Sequence, residues 1–299
     1  MSTIISQALN GFQLGAIFAL VALGYSMVYG IISLLNFAHG DIIMVGAYAA
    51  WFIVTKLGET GLPFWLVSVI AVIITIAACT FLGMATEKVA YAPLRSAPRL
   101  SLLITAIGVS YLLENLAQLV FGASGKRVPQ IISVKNINIG SFTLSRIAVL
   151  TLVVSLISMA ALTVLVKKTK MGKAMRAVSE DMEAARLMGV NVNNTISFTF
   201  ALGSALAGIG AILYCCAYPQ ISPTMGSMLG LKAFVAAVLG GIGSIPGAVI
   251  GGFAIGMAET VVSAIGLSVW KDAVVFLVLI FILIIKPAGI MGKKTTEKV

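Results

Sequence analysis

Long apolar runs recur along the whole 299-residue sequence and limit what it can fold into. Hydrophobic residues make up 60% of the chain and charged residues only 10%, whereas a soluble domain carries about a quarter charged residues. A helix needs roughly 20 apolar residues to cross about 30 Å of hydrocarbon. Most of the runs reach that length, and they are too long and too uniformly apolar for barrel strands. The sequence therefore predicts an all-α fold, a polytopic helical integral membrane protein.

Charged residues, prolines and glycines divide the sequence into about eight apolar segments. The seventh is broken by the glycine-rich stretch 240–247 and would count twice if it crosses the membrane twice. No second domain is indicated, so residues 1–299 are interpreted as one transmembrane domain. The segments are residues 4–33, 42–57, 63–86, 100–121, 145–166, 195–217, 227–265 and 271–286, with a polar link at 87–99.

The net charge of +10 does not indicate nucleic-acid binding, because excess Lys and Arg in a membrane protein marks cytoplasmic loops and anionic headgroups. Basic residues crowd residues 167–176 and recur in the C-terminal tail, so both are expected in the cytoplasm. Counting segments back places the N-terminus and the loop 122–143 outside. The tail residues are Lys293, Lys294 and Lys298, and the loop residues that act against this orientation are Lys126, Arg127 and Lys135.

Two apolar stretches are interrupted by residues that do not suit hydrocarbon, at 36–41 and at 240–247. Non-helical backbone inside a membrane persists only where protein or a water-filled cavity satisfies it, and broken helices in transporters flank the substrate path. Residues of both interruptions are therefore candidates for a translocation path. For residues 36–41, a plain turn in cytoplasmic water is an equally good interpretation. The candidates are Asn36, His39, Asp41, Gly240 and Gly243.

Glu114 and Glu259 lie inside apolar segments, where a charged group is costly and usually faces the interior of a helix bundle. The simpler interpretation is that each acid hydrogen-bonds a neighbouring helix. Glycines at spacing four, such as Gly252 and Gly256, indicate close helix packing. The single histidine and the three cysteines inside apolar segments favour packing over metal or redox chemistry. No metal site and no bound cofactor are expected.

Residues 171–189 form a charged segment between two apolar ones. Apolar residues at spacings of three and four predict one amphipathic helix, preceded by Gly172 and ended by Gly189 in the left-handed conformation. Asn191 then offers a cap for the next helix. Acids interrupt the basic face, which favours a protein groove over anionic lipid. The stripe comprises Met175, Val178, Met182, Ala185 and Met188, and ion pairs are predicted for Arg176–Glu180 and Glu183–Arg186.

The sequence motifs resemble those of one family over nearly the whole chain. The charged segment reads MGKAMRAV at 171–178, then Asp181, then EAARLMGV at 183–190. It resembles the coupling segment of ABC-importer permeases, and more narrowly the branched-chain amino acid permeases of the LivH type. Matching stretches are ALVALGY at 19–25, NFAHGD at 36–41, FALGSALAG at 200–208 and GGIGS at 240–244.

The resemblance implies a pore-forming permease subunit, not an enzyme, in the bacterial inner membrane. A second related permease, two ABC ATPases that bind ATP and Mg, and a periplasmic substrate-binding protein would be its partners. The cytoplasmic coupling segment would span about 167–194, and the N-terminus would be periplasmic. A G-x-x-x-x-G-K-[ST] motif is absent from the sequence, which fits ATP binding elsewhere. The coupling residues are Met171, Gly172, Arg176, Glu180, Asp181, Met182, Ala185, Met188 and Gly189.

Two alternatives remain open at this point. Within the same wider family, the substrate could be urea, a short amide or another amino acid, since specificity is expected mostly in the binding protein. From another class, an ion-coupled secondary transporter would use Glu114 and Glu259 as its intramembrane acids. The sequence also leaves open whether the permease pair consists of like or unlike chains.

Overall fold

A computed structural model describes residues 2–95, 97–132, 137–139 and 142–292, and helices dominate these residues. Eight spans are long and apolar enough to cross a membrane, which confirms the predicted fold class. They correspond to α1–α5, α8, α10 and α11. The helices are α1 Ser2–Ile32, α2 His39–Gly58, α3 Phe64–Thr86, α4 Arg99–Phe121, α5 Arg146–Lys168, α6 Lys170–Glu180, α7 Met182–Leu187, α8 Val192–Ala217, α9 Met225–Gly240, α10 Ile245–Ala264 and α11 Lys271–Ile285.

Short elements connect the helices. A π-helix, Glu87–Tyr91, and a 3₁₀ turn, Ala92–Leu94, continue α3, so part of the predicted polar link is helical. A second 3₁₀ turn, Ser268–Trp270, precedes α11. Strands β1 Lys126–Arg127 and β4 Gln220–Ile221 pair antiparallel, as do β2 Ile137–Ile139 and β3 Phe142–Leu144.

The seventh apolar segment forms two helices rather than one. The 16 residues of α9 span about 24 Å at 1.5 Å per residue, which is less than the hydrocarbon thickness, whereas α10 is 20 residues long. The count is thus eight long apolar helices and one short one in the described chain. The basic tail at Lys293, Lys294 and Lys298, and Lys135 of the loop after α4, lie outside the described residues.

Helix α1 is the centre of the bundle and packs antiparallel against α10 through small residues. A side chain at Gly256 would collide with the backbone of Gly15, and one at Gly252 would collide with Ala19. Apolar surface alone gives little drive for association in lipid, so this close approach supplies the contact. The predicted use of spaced glycines for packing within the chain is confirmed at these positions.

Helices α4 and α11 lie at the periphery, with most of their apolar side chains exposed. Few of their residues contact the rest of the bundle. In a membrane such faces meet lipid or another membrane helix, since both are as apolar as the exposed side chains. Because these two helices make few apolar contacts with the bundle, individual polar contacts contribute much of what holds them to it.

Candidate functional site

The charged segment forms two helices, α6 and α7, and the prediction of one continuous helix is wrong. Asp181 separates them in an extended conformation, with φ −159° and ψ 113°. Its Oδ1 accepts the backbone N–H groups of Glu183 and Ala184 at 2.8 and 2.9 Å. Aspartate competes with helical hydrogen bonding in a helix interior and is favoured as an N-cap, so it ends α6 and begins α7.

The ends of the segment agree only in part with the sequence prediction. Gly172 does not precede the helix but lies within its first turn, because Thr169 caps α6 and accepts the Gly172 N–H at 3.0 Å. A side chain at Gly172 would collide with the carbonyls of Leu165 and Val166, so glycine permits the sharp α5–α6 turn. Gly189 has φ +83° and follows α7, and Asn191 caps α8, as predicted.

The predicted apolar stripe divides into a buried part and an exposed part. Met175, Val178 and Ala185 are buried against the chain's own core, whereas Met182 is 37% and Met188 84% exposed. Leu187, which the sequence analysis did not single out, is 89% exposed. A helix anchored on one side leaves only its remaining apolar residues for an outside partner. Those residues lie around α7, and Leu187 could have been found from its position beside Met188.

The polar residues of the segment are exposed and lack the predicted ion pairs. Arg176 donates to the carbonyl of Val166 instead of pairing with Glu180. Neither Arg176–Glu180 nor Glu183–Arg186 is among the ion pairs of the described residues. The Arg176 contact ties α6 to the end of α5, so the segment is fastened to the bundle at its start. Met171 is half-buried and packs on the core there.

The first interruption lies inside the bundle. After α1 ends at Ile32 the chain turns back, and a side chain at Gly24 would collide with the His39 ring. Gly24 precedes the end of α1 by eight residues, so α2 begins about 12 Å inside that end. Asn36, His39 and Asp41 are all buried, which excludes a water-exposed turn for them. Tyr25 packs edge-on against His39 at 4.9 Å between ring centroids.

Two acids near this interruption connect α4 to the core. Ser110 of α4 donates to Asp41 of α2, and Ser227 of α9 donates to Glu114 of α4. Ser110 and Glu114 lie one turn apart on the same face of α4. The interpretation of Glu114 as a hydrogen bond to a neighbouring helix is thereby confirmed. Gly226 and Gly230 let α9 approach the start of α2 closely at this point.

The second interruption lies at the opposite end of α9 and does not join the first. Gly241 and Gly243 have φ +101° and +87°, and Ser244 caps α10. The Ile290 and Met291 N–H groups satisfy the last carbonyls of α9, at Leu239 and Gly240, at 2.9 Å each. Residues 226 and 240 are about 21 Å apart along the helix. The path candidates Gly240 and Gly243 thus form a tight helix connection, separate from Asn36, His39 and Asp41.

A buried ion-pair cluster joins α9, α10 and α11. Lys232 Nζ lies 2.5 Å from Glu259 Oε1 and 2.7 Å from Asp272 Oδ1. Glu259 therefore contacts a neighbouring helix, as expected, but through Lys232, which the sequence analysis missed. The available signal was a lone lysine in an apolar segment that also holds Glu259, with Asp272 at the start of the next segment.

The helix bundle, with eight long apolar helices in the described residues, defines the class, a polytopic helical membrane protein. Residues 7–283 match the family described as branched-chain amino acid transport system / permease component, and the chain belongs to this family. It is 40% identical to the high-affinity branched-chain amino acid transport system permease protein LivH of Escherichia coli K12, over 99% of this chain and 97% of that protein. It is 39% identical to BraD of Pseudomonas aeruginosa, a permease of the same description, over 99% and 98%. The predicted resemblance is confirmed.

Proposed function

We propose that the chain is the pore-forming permease subunit of a bacterial ABC importer for leucine, isoleucine and valine. It is not itself an enzyme, because ATP and Mg bind to two partner ATPases. A periplasmic binding protein delivers the substrate, and a second related permease completes the pore. The inner membrane holds the complex, with the segment 167–194 and the C-terminus in the cytoplasm and the N-terminus in the periplasm. Membership of the family and the names of the similar permeases support this function.

The geometry of α7 carries the coupling part of the proposal. Met182, Leu187 and Met188 present exposed apolar side chains, while acids and bases surround them. On the other side, Met175 and Val178 fix the pair to the bundle. An apolar knob with a charged rim suits a groove on a protein, since methionine adapts to an irregular surface. ATP-driven movement of the ATPases would then tilt α5 and α8 and favour one pore conformation.

The outer face of α4 is the proposed contact with the second permease. Beside and behind the face of Ser110 and Glu114, this helix exposes Gly108, Tyr111 and Asn115. A glycine lets another helix approach closely. The Asn115 amide donates to the Tyr111 carbonyl of its own helix at 2.7 Å, and its oxygen can accept a hydrogen bond across helices. The proposed partner is the second related permease, and membership of a family of transport-system permease components supports this choice.

Co-purification with the ATPase subunits tests the coupling role. Leu187→Ser with Met188→Ser is expected to reduce ATPase recovery and binding-protein-stimulated hydrolysis by about tenfold or more, because two apolar contacts are lost. Val269→Ser is the matched control. Val269 is an equally exposed apolar residue, at 94%, but it lies in the turn after the C-terminal end of α10 and not on α7. Unchanged ATPase recovery with the α7 double variant contradicts the proposal.

Substrate choice needs a separate measurement. The binding protein encoded beside this gene is expected to bind leucine, isoleucine or valine by calorimetry. Binding of urea or a short amide instead would change the substrate and leave the permease class intact. Transport by the purified single chain driven by an ion gradient would favour the secondary-transporter alternative. If His39→Ala and Asp41→Asn leave uptake unchanged in a folded complex, these residues have no role in the path.

A further inference from the structure

A buried polar network lies where the π-helix after α3 meets the start of α8. Glu87 is 1% exposed, and its two carboxylate oxygens have separate partners. Arg95 forms an ion pair with Oε1, and the Ser197 hydroxyl donates to Oε2 at 2.6 Å. Arg95 also donates to Asn193 Oδ1. Glu87 and Arg95, both in the stretch that follows α3, thus contact the first two turns of α8.

The start of α8 is also the exit of the coupling segment. Gly189 ends α7 and Asn191 caps α8, so Asn193 follows the exposed Leu187 by only six residues. Asn191 accepts the backbone N–H of Asn194 at 3.0 Å, which fixes the helix start. A displacement of α7 therefore reaches Asn193 through a short connection, and Arg95 is the side chain that meets it.

The other end of the π-helix reaches the first interruption. Tyr91, its last residue, donates to Asn36 Oδ1 at 2.7 Å. The Asn36 carbonyl in turn accepts the N–H of His39, the first residue of α2, at 3.0 Å. Five residues of unusual helix therefore link the exit of the coupling segment to the segment that holds His39 and Asp41. Single-turn π-helices are rare and occur often at functional sites.

The network borders a small cleft of about 70 Å³. Glu87, Tyr91 and Arg95 line it on one side and Met182 of α7 on the other. Close-packed interfaces do not deform continuously, so free space beside a hinge lets one element shift against another. This junction has such space, whereas the glycine contacts between α1 and α10 have none.

We propose that the Glu87–Arg95 pair, together with Tyr91, transmits movement of the coupling segment to the interrupted segment at Asn36. These side chains are positioning residues for transport and contact neither nucleotide nor substrate. The inference deepens the proposed function and rests on it. A purely structural anchor is the competing interpretation, because a buried ion pair can also hold helices together without moving.

The test uses the full complex of permeases, ATPases and binding protein in proteoliposomes. Tyr91→Phe removes only the hydroxyl that reaches Asn36, and Glu87→Gln removes the ion pair while keeping the shape. Both are expected to lower the amount of amino acid transported per ATP hydrolysed by about tenfold, within the usual range of coupling between sites. ATPase recovery should remain within about twofold, since α7 is intact in both variants.

Tyr48→Phe is the matched control, because Tyr48 is also fully buried and its hydroxyl has no hydrogen-bond partner among the described residues. It should keep the wild-type ratio of transport to hydrolysis. Arg95→Lys, which retains the charge, should recover part of the ratio relative to Arg95→Gln.

An unchanged ratio in Tyr91→Phe and Glu87→Gln overturns the inference. So does a loss of transport that follows only from lower thermal stability or complex yield, since that is the behaviour of an anchor. A wild-type complex in which transport is independent of ATP overturns the proposed function itself. The two failures are distinguishable because the second appears before any substitution is made.

Discussion

The Lys232 cluster allows a stability prediction whose size follows from burial. Lys232→Met keeps a long apolar side chain in the same space and removes the one cation that contacts Glu259 and Asp272 in the described residues. The Glu259 side chain is 5% exposed, so the variant leaves a buried carboxylate without its partner. Such a change costs about 3–5 kcal/mol. Asp272, at 35% exposure, remains in contact with solvent and adds at most about 1 kcal/mol.

A second substitution tests the cause of this loss. In Lys232→Met with Glu259→Leu, both the cation and the buried acid are replaced by apolar groups. Replacing a whole buried ion pair by apolar side chains is often neutral or stabilising, so the double variant should be more stable than Lys232→Met alone. Such non-additivity is expected for residues in contact. The exposed pair Lys56–Glu59, 4.0 Å apart, provides the control Lys56→Met, which should change nothing measurable.

Thiol reactivity during heating measures the effect in detergent. Cys79 and Cys215 are buried and react with a thiol dye only after the bundle opens. The midpoint temperature of thermal unfolding, read from the thiol reaction, should be at least about 5 °C lower for Lys232→Met than for the wild type. A wild-type midpoint for this variant refutes the reasoning, as does a double variant less stable than the single one.

Three further predictions follow from other contacts. Asp181→Ala removes the cap of α7 and should destabilise that helix by about 0.5–2 kcal/mol, seen as faster hydrogen exchange at 182–187 with unchanged exchange in α8; equal rates in α7 contradict it. Gly256→Leu should abolish folded protein in fluorescence-detected chromatography, because its side chain collides with Gly15, whereas Gly108→Leu should fold, since Gly108 meets open space. Gly108→Cys should form an oxidative cross-link to a cysteine introduced in the second permease, whereas Val269→Cys should not. If Gly108→Cys forms no cross-link with a cysteine at any position of the second permease, the α4 contact is excluded.

Most of the helices could be predicted from the sequence because most apolar runs reach the length that hydrocarbon requires, and α1, α3, α5 and α8 begin and end within a few residues of those runs. The break at Asp181 could not be predicted, because the apolar periodicity continues from α6 into α7. Only the cap geometry of Asp181 shows that the helix is interrupted. Lys232 was missed because its partners Glu259 and Asp272 lie on two other helices, and the sequence does not show that these helices meet at Lys232. The π-helix after α3 was read as a polar link, because buried Glu87 looks like a loop residue until Ser197 and Arg95 are placed beside it.

Two kinds of contact hold this bundle, and they differ in how much movement they allow between helices. The α1–α10 contact is made by glycines packed against backbone, which has no alternative arrangement without loss of packing. Peripheral α4 is joined to the core by the hydroxyl–carboxylate contacts of Ser110 and Glu114. A side-chain hydrogen bond between membrane helices contributes about 0.6–2 kcal/mol, which a change in partner contacts at α7 can offset. Movement during transport is therefore expected in α4 and the π-helix, while α1 and α10 stay fixed as the frame.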